Sequence, residues 1–101
     1  MDADPRGLAG IDRVIHEPAR LAMVTILSVV ESADFLYLQR ETGLTKGNLS
    51  FHLAKLEDAG YVSIEKTYRG RIPLTLVRLT TAGGAALRRY RARIREFLEM
   101  P

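Results

Sequence analysis

"LTKGNLSFHLAKLEDAG", residues Leu44 to Gly60, is the stretch on which the fold turns. The Thr45 hydroxyl can accept a hydrogen bond from a free N–H of a first helical turn. Gly60 suits the left-handed position just past a helix end, so the stretch predicts a helix from Lys46 to Ala59. At 100° per residue, with Leu49 at zero, Leu53 falls at about 40° and Leu56 at about −20°, and these three define a buried face. Gly47, Ser50, Phe51, Ala54 and Asp58 fall at about 160°, 100°, 200°, 140° and 180° by the same geometry, with Lys55 beside them. The outer face is small, smooth and bears one aromatic ring. A helix needing only solubility puts glutamate and lysine there. A helix entering a DNA major groove needs small residues, hydroxyls, amides, a lysine near its start and an apolar group for thymine methyls. The alternative use of Phe51 is packing against the rest of the chain or a second subunit.

Upstream, Asp34 can cap "FLYLQRET", and Gly43 is a natural left-handed terminator for it. A short helix, a turn containing Gly43 and a second helix with informative side chains in its N-terminal half make a helix-turn-helix arrangement. Before it, Pro18 is acceptable in a first helical turn, and "PARLAMVTILSVVES" predicts a helix from about Pro18 to Glu31. Its Leu21, Val24, Ile26, Leu27, Val29 and Val30 cover most of the circumference, so burial on nearly all sides is expected. In "LAGIDRVIHE", Leu8, Ile11 and Ile15 stand at helical spacing and predict one more short helix. Residues 1–10 are expected to be a flexible N-terminus, with the domain running over 11–101.

Downstream, "YVSIEKTY" has strand character with Val62 and Ile64 on one face, "RGRIP" holds turn signals, and "LTLVRL" alternates Thr75, Val77 and Leu79. The two strands predict a hairpin with Arg69 and Arg71 at its tip, flanking Gly70, and a finger so tipped reaches phosphates or a minor groove. Thr80 or Thr81 then caps "AGGAALRRYRARIREFLE", where Leu87, Tyr90, Ile94, Phe97 and Leu98 form a stripe close to a heptad seam.

The chain has 101 residues, of which 47% are hydrophobic and 27% charged, in keeping with one soluble domain. Net charge is +3. Residues 61–79 carry four basic side chains against one acidic, and 80–101 five against two, so all the excess positive charge follows Gly60. The longest mainly apolar run, Leu21 to Val30, is far short of a bilayer span, so no membrane partner is expected and a cytoplasmic location is the default. The chain contains no cysteine, which excludes disulfides, thiolate metal sites and thiol redox chemistry. His52 falls at the edge of the buried face, about −60° on the wheel, and reads as a hydrogen-bonded packing residue, while His16 belongs to the bend before Pro18. No phosphate-binding glycine loop, nucleophile elbow or paired carboxylates stand out, so neither an enzyme nor a cofactor or metal site is expected.

The segments "HEPARLAMVTIL", "LQRETGLTKGNLSFHLAKLEDAGYVSIEK", "RGR" and "RLTTAGGAAL" resemble the winged helix-turn-helix DNA-binding family of MarR/ArsR-like transcriptional regulators. The resemblance spans about Ile11 to Tyr90 and keeps the family's order. It implies an α+β, mainly α fold: a three-helix core, a hairpin wing over 66–75 and a long C-terminal dimerisation helix from about residue 81. It further implies a homodimer that regulates transcription by binding specific sites in double-stranded DNA, with the 46–59 helix in the major groove. Carried over by position, Lys46, Gly47, Asn48, Ser50 and Phe51 face bases or nearby backbone, and Lys55, beside them on the wheel, is expected to join the DNA-binding set. Tyr37 and Thr45 hold phosphates, and Arg69 and Arg71 serve the wing. Leu87, Tyr90, Ile94, Phe97 and Leu98 are expected at the dimer interface, joined by Leu8, Ile11 and Ile15. A small-molecule effector pocket between the dimer helices and the DNA-binding lobe is family-typical. Two departures stand out. Ile72 and Leu74 follow the tip where the family's wing is often more basic, and without cysteine or clustered histidine an ArsR-like metal sensor is not expected. The competing readings are a winged-helix protein-interaction module and a nonspecific DNA-binding protein.

Overall fold

In the computed structural model, which describes residues 8–101, four helices and a three-stranded antiparallel sheet follow the order α1 (Pro18–Leu27), β1 (Ala33–Asp34), α2 (Phe35–Thr42), α3 (Lys46–Asp58), β2 (Val62–Arg69), β3 (Ile72–Leu79) and α4 (Thr81–Leu98). Most of the segment expected to be flexible, residues 1–7, lies outside the described residues.

The caps form where local chemistry puts them. Asp34 accepts from the Tyr37 N–H at 2.8 Å and Thr45 from the Asn48 N–H at 3.1 Å, satisfying donors that the first turns of α2 and α3 cannot pair internally. Gly43 ends α2 at φ 71°. At the end of α3, Gly60 has φ 80°, its N–H reaches the Glu57 carbonyl at 2.9 Å, and the Tyr61 N–H reaches that of Leu56 at 2.9 Å. This is a Schellman closure, which glycine enters without a Cβ penalty.

α1 corrects the sequence expectation. It stops at Leu27 rather than near Glu31, and residues 28–31 turn. The Thr25 hydroxyl bonds the Leu21 carbonyl and the Ser28 hydroxyl the Thr25 carbonyl, both at 2.7 Å, so side chains take up backbone acceptors at this end. Val29 is 81% exposed, so the apolar run outlasts the core it was expected to fill. The turn brings Ala33 and Asp34 beside Val77 and Leu76 of β3, forming a strand too short to have a sequence period of its own. The helix expected around Leu8, Ile11 and Ile15 is also absent: Leu8 and Ile15 lie in two separate turns, with Ile11 between them. The Asp12 carboxylate accepts from the N–H groups of Val14 at 2.9 Å and Ile15 at 3.2 Å, doing locally what a helix ladder would do.

The sheet has the order β1-β3-β2. β2 and β3 pair from Val62↔Leu79 to Arg69↔Ile72, leaving the two-residue loop Gly70-Arg71. A φ of 63° at Gly70, with no positive φ at Arg71, is the sign pattern of a type II′ hairpin turn. Near its base the hairpin sends Val62, Ile64, Val77 and Leu79 to one face, against a core that includes Met23, Leu27, Leu38, Leu49, Leu56 and Leu87.

Two ties hold the periphery to this core, the first of them a pair of tyrosine hydroxyls. The Tyr61 hydroxyl donates a short hydrogen bond to Asp12, and the Tyr90 hydroxyl lies 2.8 Å from His16 Nδ1. The bond to Asp12, then burial, raises the Tyr61 phenol above its usual range, while burial raises Tyr90. The second tie is the start of α4. Thr80 donates its N–H to the Tyr61 carbonyl at 3.0 Å and its hydroxyl to the Gly60 carbonyl at 2.6 Å, while its Oγ1 caps the Gly83 N–H at 3.0 Å. A Cβ at Gly83 would meet the Tyr61 carbonyl oxygen at 2.2 Å, whereas one at Gly84 would find nothing nearer than 3.7 Å.

Gly83→Ala is therefore expected to lower stability by roughly 1–3 kcal/mol through overpacking, despite alanine's higher helix propensity. Gly84→Ala should raise it by up to about 1 kcal/mol. Urea unfolding of the two variants checks this, and equal gains for both would refute the close approach.

Candidate nucleic-acid interface

α3 buries Leu49, Leu53 and Leu56 at 0%, 3% and 0% exposure, so the orientation inferred from the wheel is the one the helix adopts. Thr45, Lys46, Gly47, Asn48, Ser50, Phe51, Ala54 and Lys55 are all exposed, and Phe51 is 55% exposed. The chain does not cover the Phe51 ring; two side chains of α3 contact it. The Lys55 ammonium stands 5.4 Å from the ring centroid, a cation–π contact at i,i+4, and the His52 ring meets it edge to face with centroids 5.2 Å apart. His52 is itself held by Arg20 of α1, whose Nη1 donates to His52 Nδ1 at 3.0 Å. The Glu17 carboxylate, 3.8 Å from the same nitrogen, is beyond hydrogen-bond reach of it and accepts instead from the Arg20 N–H at 2.8 Å.

Tyr37 departs from the exposed set: it is half-buried and packs against the core. Arg69 and Arg71 are exposed at the hairpin tip. Beside them Ile72, noted in the sequence, is 68% exposed, and Tyr68, which sequence reasoning missed, is 69% exposed. Strand alternation flags an outward side chain but not whether a neighbour covers it. Among the described residues Lys46, Arg69 and Arg71 make no ion pair, so their charges are available to a partner.

The residues expected at a dimer interface divide in two. Ile11, Ile15, Leu87 and Tyr90 are buried in this chain's own core, at 6%, 0%, 2% and 8% exposure, and Leu8 packs half-buried against it. The start of the α4 stripe is thus spent largely on the domain itself, with only the edge of Tyr90 left at the surface. Ile94 and Phe97 are half-buried, and Leu98 is 72% exposed. Tyr90, Ile94 and Leu98 line, with Leu21 of α1, an open groove of about 610 Å³ rimmed by Arg91 and Arg95. No described helix is long and apolar enough to cross a membrane.

This order of elements, with a capped helix presenting a small-residue face and an arginine-tipped hairpin directly after it, has a match among protein families. The profile for the winged helix DNA-binding domain covers residues 19–98. The chain belongs to that family. It is 33% identical over 79 residues to an uncharacterized protein of Methanocaldococcus jannaschii, covering 77% of this chain and 85% of that one. Its fold is similar to a solved transcriptional regulator homologue from Pyrococcus horikoshii OT3, with TM-score 0.86 and 28% identity over 92% of this chain and 94% of that one. A solved ArsR family transcriptional regulator shares the fold at TM-score 0.59 and 24% identity, covering 100% and 99% of the two chains. In winged helix terms α2 and α3 form the helix-turn-helix, and the β2–β3 hairpin is the wing.

Because the Phe51 ring stands outside the core, Phe51→Ala should change unfolding free energy by no more than about 0.5 kcal/mol. Leu53→Ala, one turn-face away, should cost about 2–5 kcal/mol. Denaturant titration of both variants decides between a ring that packs and a ring that is presented.

Proposed function

We propose that this winged helix protein is a homodimeric transcriptional regulator that binds specific sites in double-stranded DNA. The observation that carries the reading is the outer face of α3: glycine, asparagine, serine and alanine with one uncovered phenylalanine. Such a face admits close approach to base edges. Asn48 offers the amide suited to adenine, Ser50 a hydroxyl, and Phe51 an apolar contact for a thymine methyl. Lys46 and the N-terminal N–H groups of α3 meet phosphate, and Arg69 and Arg71 of the wing meet the flanking backbone or minor groove. A polypeptide docking surface would favour a broader apolar patch than one ring flanked by small polar side chains.

The free end of α4 supports the dimeric part of this reading. Ile94, Phe97 and Leu98, with Leu21 along the groove, form an apolar surface that a second copy can cover, and a two-fold pair would present two α3 helices to half-sites roughly 34–36 Å apart. The buried members of the stripe support α4 from inside the domain.

Fluorescence anisotropy against a duplex from upstream of the protein's own gene and a scrambled duplex, across a salt series, tests the reading. Arg69→Ala and Arg71→Ala should weaken binding to both duplexes and lower the salt slope by about 1 each. Asn48→Ala or Ser50→Ala should reduce discrimination by about 1–3 kcal/mol per lost base contact. Equal binding to both duplexes by the unaltered protein would make it a nonspecific binder, and no binding at low salt would make it a docking module.

A further inference from the structure

The Arg20 side chain is unusual for a surface helix: it is half-buried and spent on three acceptors. Nε donates to the Val14 carbonyl at 2.6 Å, Nη2 reaches the Arg13 carbonyl at 3.4 Å, and Nη1 donates to His52 Nδ1 at 3.0 Å. Its backbone N–H is fixed by Glu17 at 2.8 Å. A guanidinium has no acceptor and stays charged, so Nδ1 must accept, and the proton of the neutral imidazole sits on Nε2. The ring plane of His52 is thereby set from outside α3. His52 stands edge-on to Phe51 with an interplanar angle of 73°, and Lys55 closes the other contact on the same ring. A phenylalanine on an exposed helix face otherwise samples several rotamers at little cost. Here one side of that freedom is occupied.

We propose that Arg20 and His52 are positioning residues for DNA recognition: through the chain Arg20–His52–Phe51 they hold the ring where a thymine methyl meets it, so that α1 and the segment before it set base preference without touching DNA. The inference rests on α3 reading the major groove. Neither residue is needed for that helix to form, since Thr45 caps its start, left-handed Gly60 follows its C-cap Ala59 and its buried face is leucine. What they add is the placement of one apolar contact, and its loss shows in discrimination rather than in affinity for DNA at large.

The probe is a pair of duplexes carrying the preferred site, one with thymine and one with deoxyuridine at each thymine position in turn, measured by anisotropy. The unaltered full chain should lose about fourfold in affinity at one position when the methyl is removed, as one buried methyl is worth. Phe51→Ala should abolish that difference. His52→Ala and Arg20→Met should reduce it below twofold while keeping scrambled-duplex affinity and its salt slope. His52→Asn, whose amide oxygen can accept from Arg20 in place of Nδ1, should restore most of it. His52→Gln, with its oxygen displaced, should not. Circular dichroism melting accompanies every variant, so that a fold defect in His52→Ala shifts the comparison to the Asn and Gln pair. Full methyl sensitivity in His52→Ala or in His52→Gln overturns the positioning role while leaving α3 as the reader. Specific binding with no methyl sensitivity at any thymine overturns both the role and the Phe51 contact, and absence of specific binding overturns the DNA reading itself.

Discussion

Tyr61 is where the structure is tied together. Its N–H closes α3 onto Leu56, its carbonyl receives the Thr80 N–H at the start of α4, and its hydroxyl bonds Asp12 in the N-terminal segment. The approach of α4 is possible only because Gly83 has no side chain, since a Cβ there would meet that carbonyl at 2.2 Å. One residue therefore joins the end of α3, the start of β2 and the start of α4. An error of a few tenths of an ångström here would be transmitted to every element that presents a functional side chain, because packed interiors do not deform smoothly.

Two surfaces stand out: α3 and the wing expose side chains suited to a nucleic acid, and α1 and the free end of α4 leave an apolar groove. The charge is divided as well. The exposed side of α3 carries Lys46 and Lys55 against Glu57 and Asp58, while the surplus of arginine sits on the wing and along α4, where residues 88, 89, 91, 93 and 95 are exposed. In the proposed reading, a broad positive field draws in a polyanion without reading it, and the nearly neutral face of α3 would do the discriminating.

How much of this was legible in the sequence depends on the range of the interaction that decides each feature. The caps Asp34, Thr45 and Thr80, the terminators Gly43 and Gly60 and the leucine face of α3 act within one or two turns, and local patterning located them. The end of α1 was misplaced because Val29 and Val30 look like core, while the core they would join is absent at that point. Ile11 and Ile15 are spaced like a helix but reach the core through a turn built on Asp12. β1 exists only by pairing with β3, more than 40 residues away, and two residues carry no period. The α4 stripe shows the same limit: hydrophobic spacing finds the buried side of a helix but cannot tell whether its own domain or a second copy does the burying. Leu87 and Tyr90 went to the domain and Leu98 did not. The outward place of Phe51 was readable, and so was a hydrogen-bonding role for His52. Its partner Arg20, 32 residues earlier, was not, because no periodicity connects two side chains from different helices.

The most direct test of the central claim, that the exposed face of α3 is the DNA-contacting surface, is a two-dimensional amide NMR titration of the isotopically labelled protein with a duplex carrying its preferred site. The account predicts that the largest shift changes fall on Lys46, Gly47, Asn48, Ser50 and Phe51, with a second cluster at Arg69, Gly70 and Arg71 on the wing. Changes confined to α4, with the amides of α3 unmoved, would contradict it.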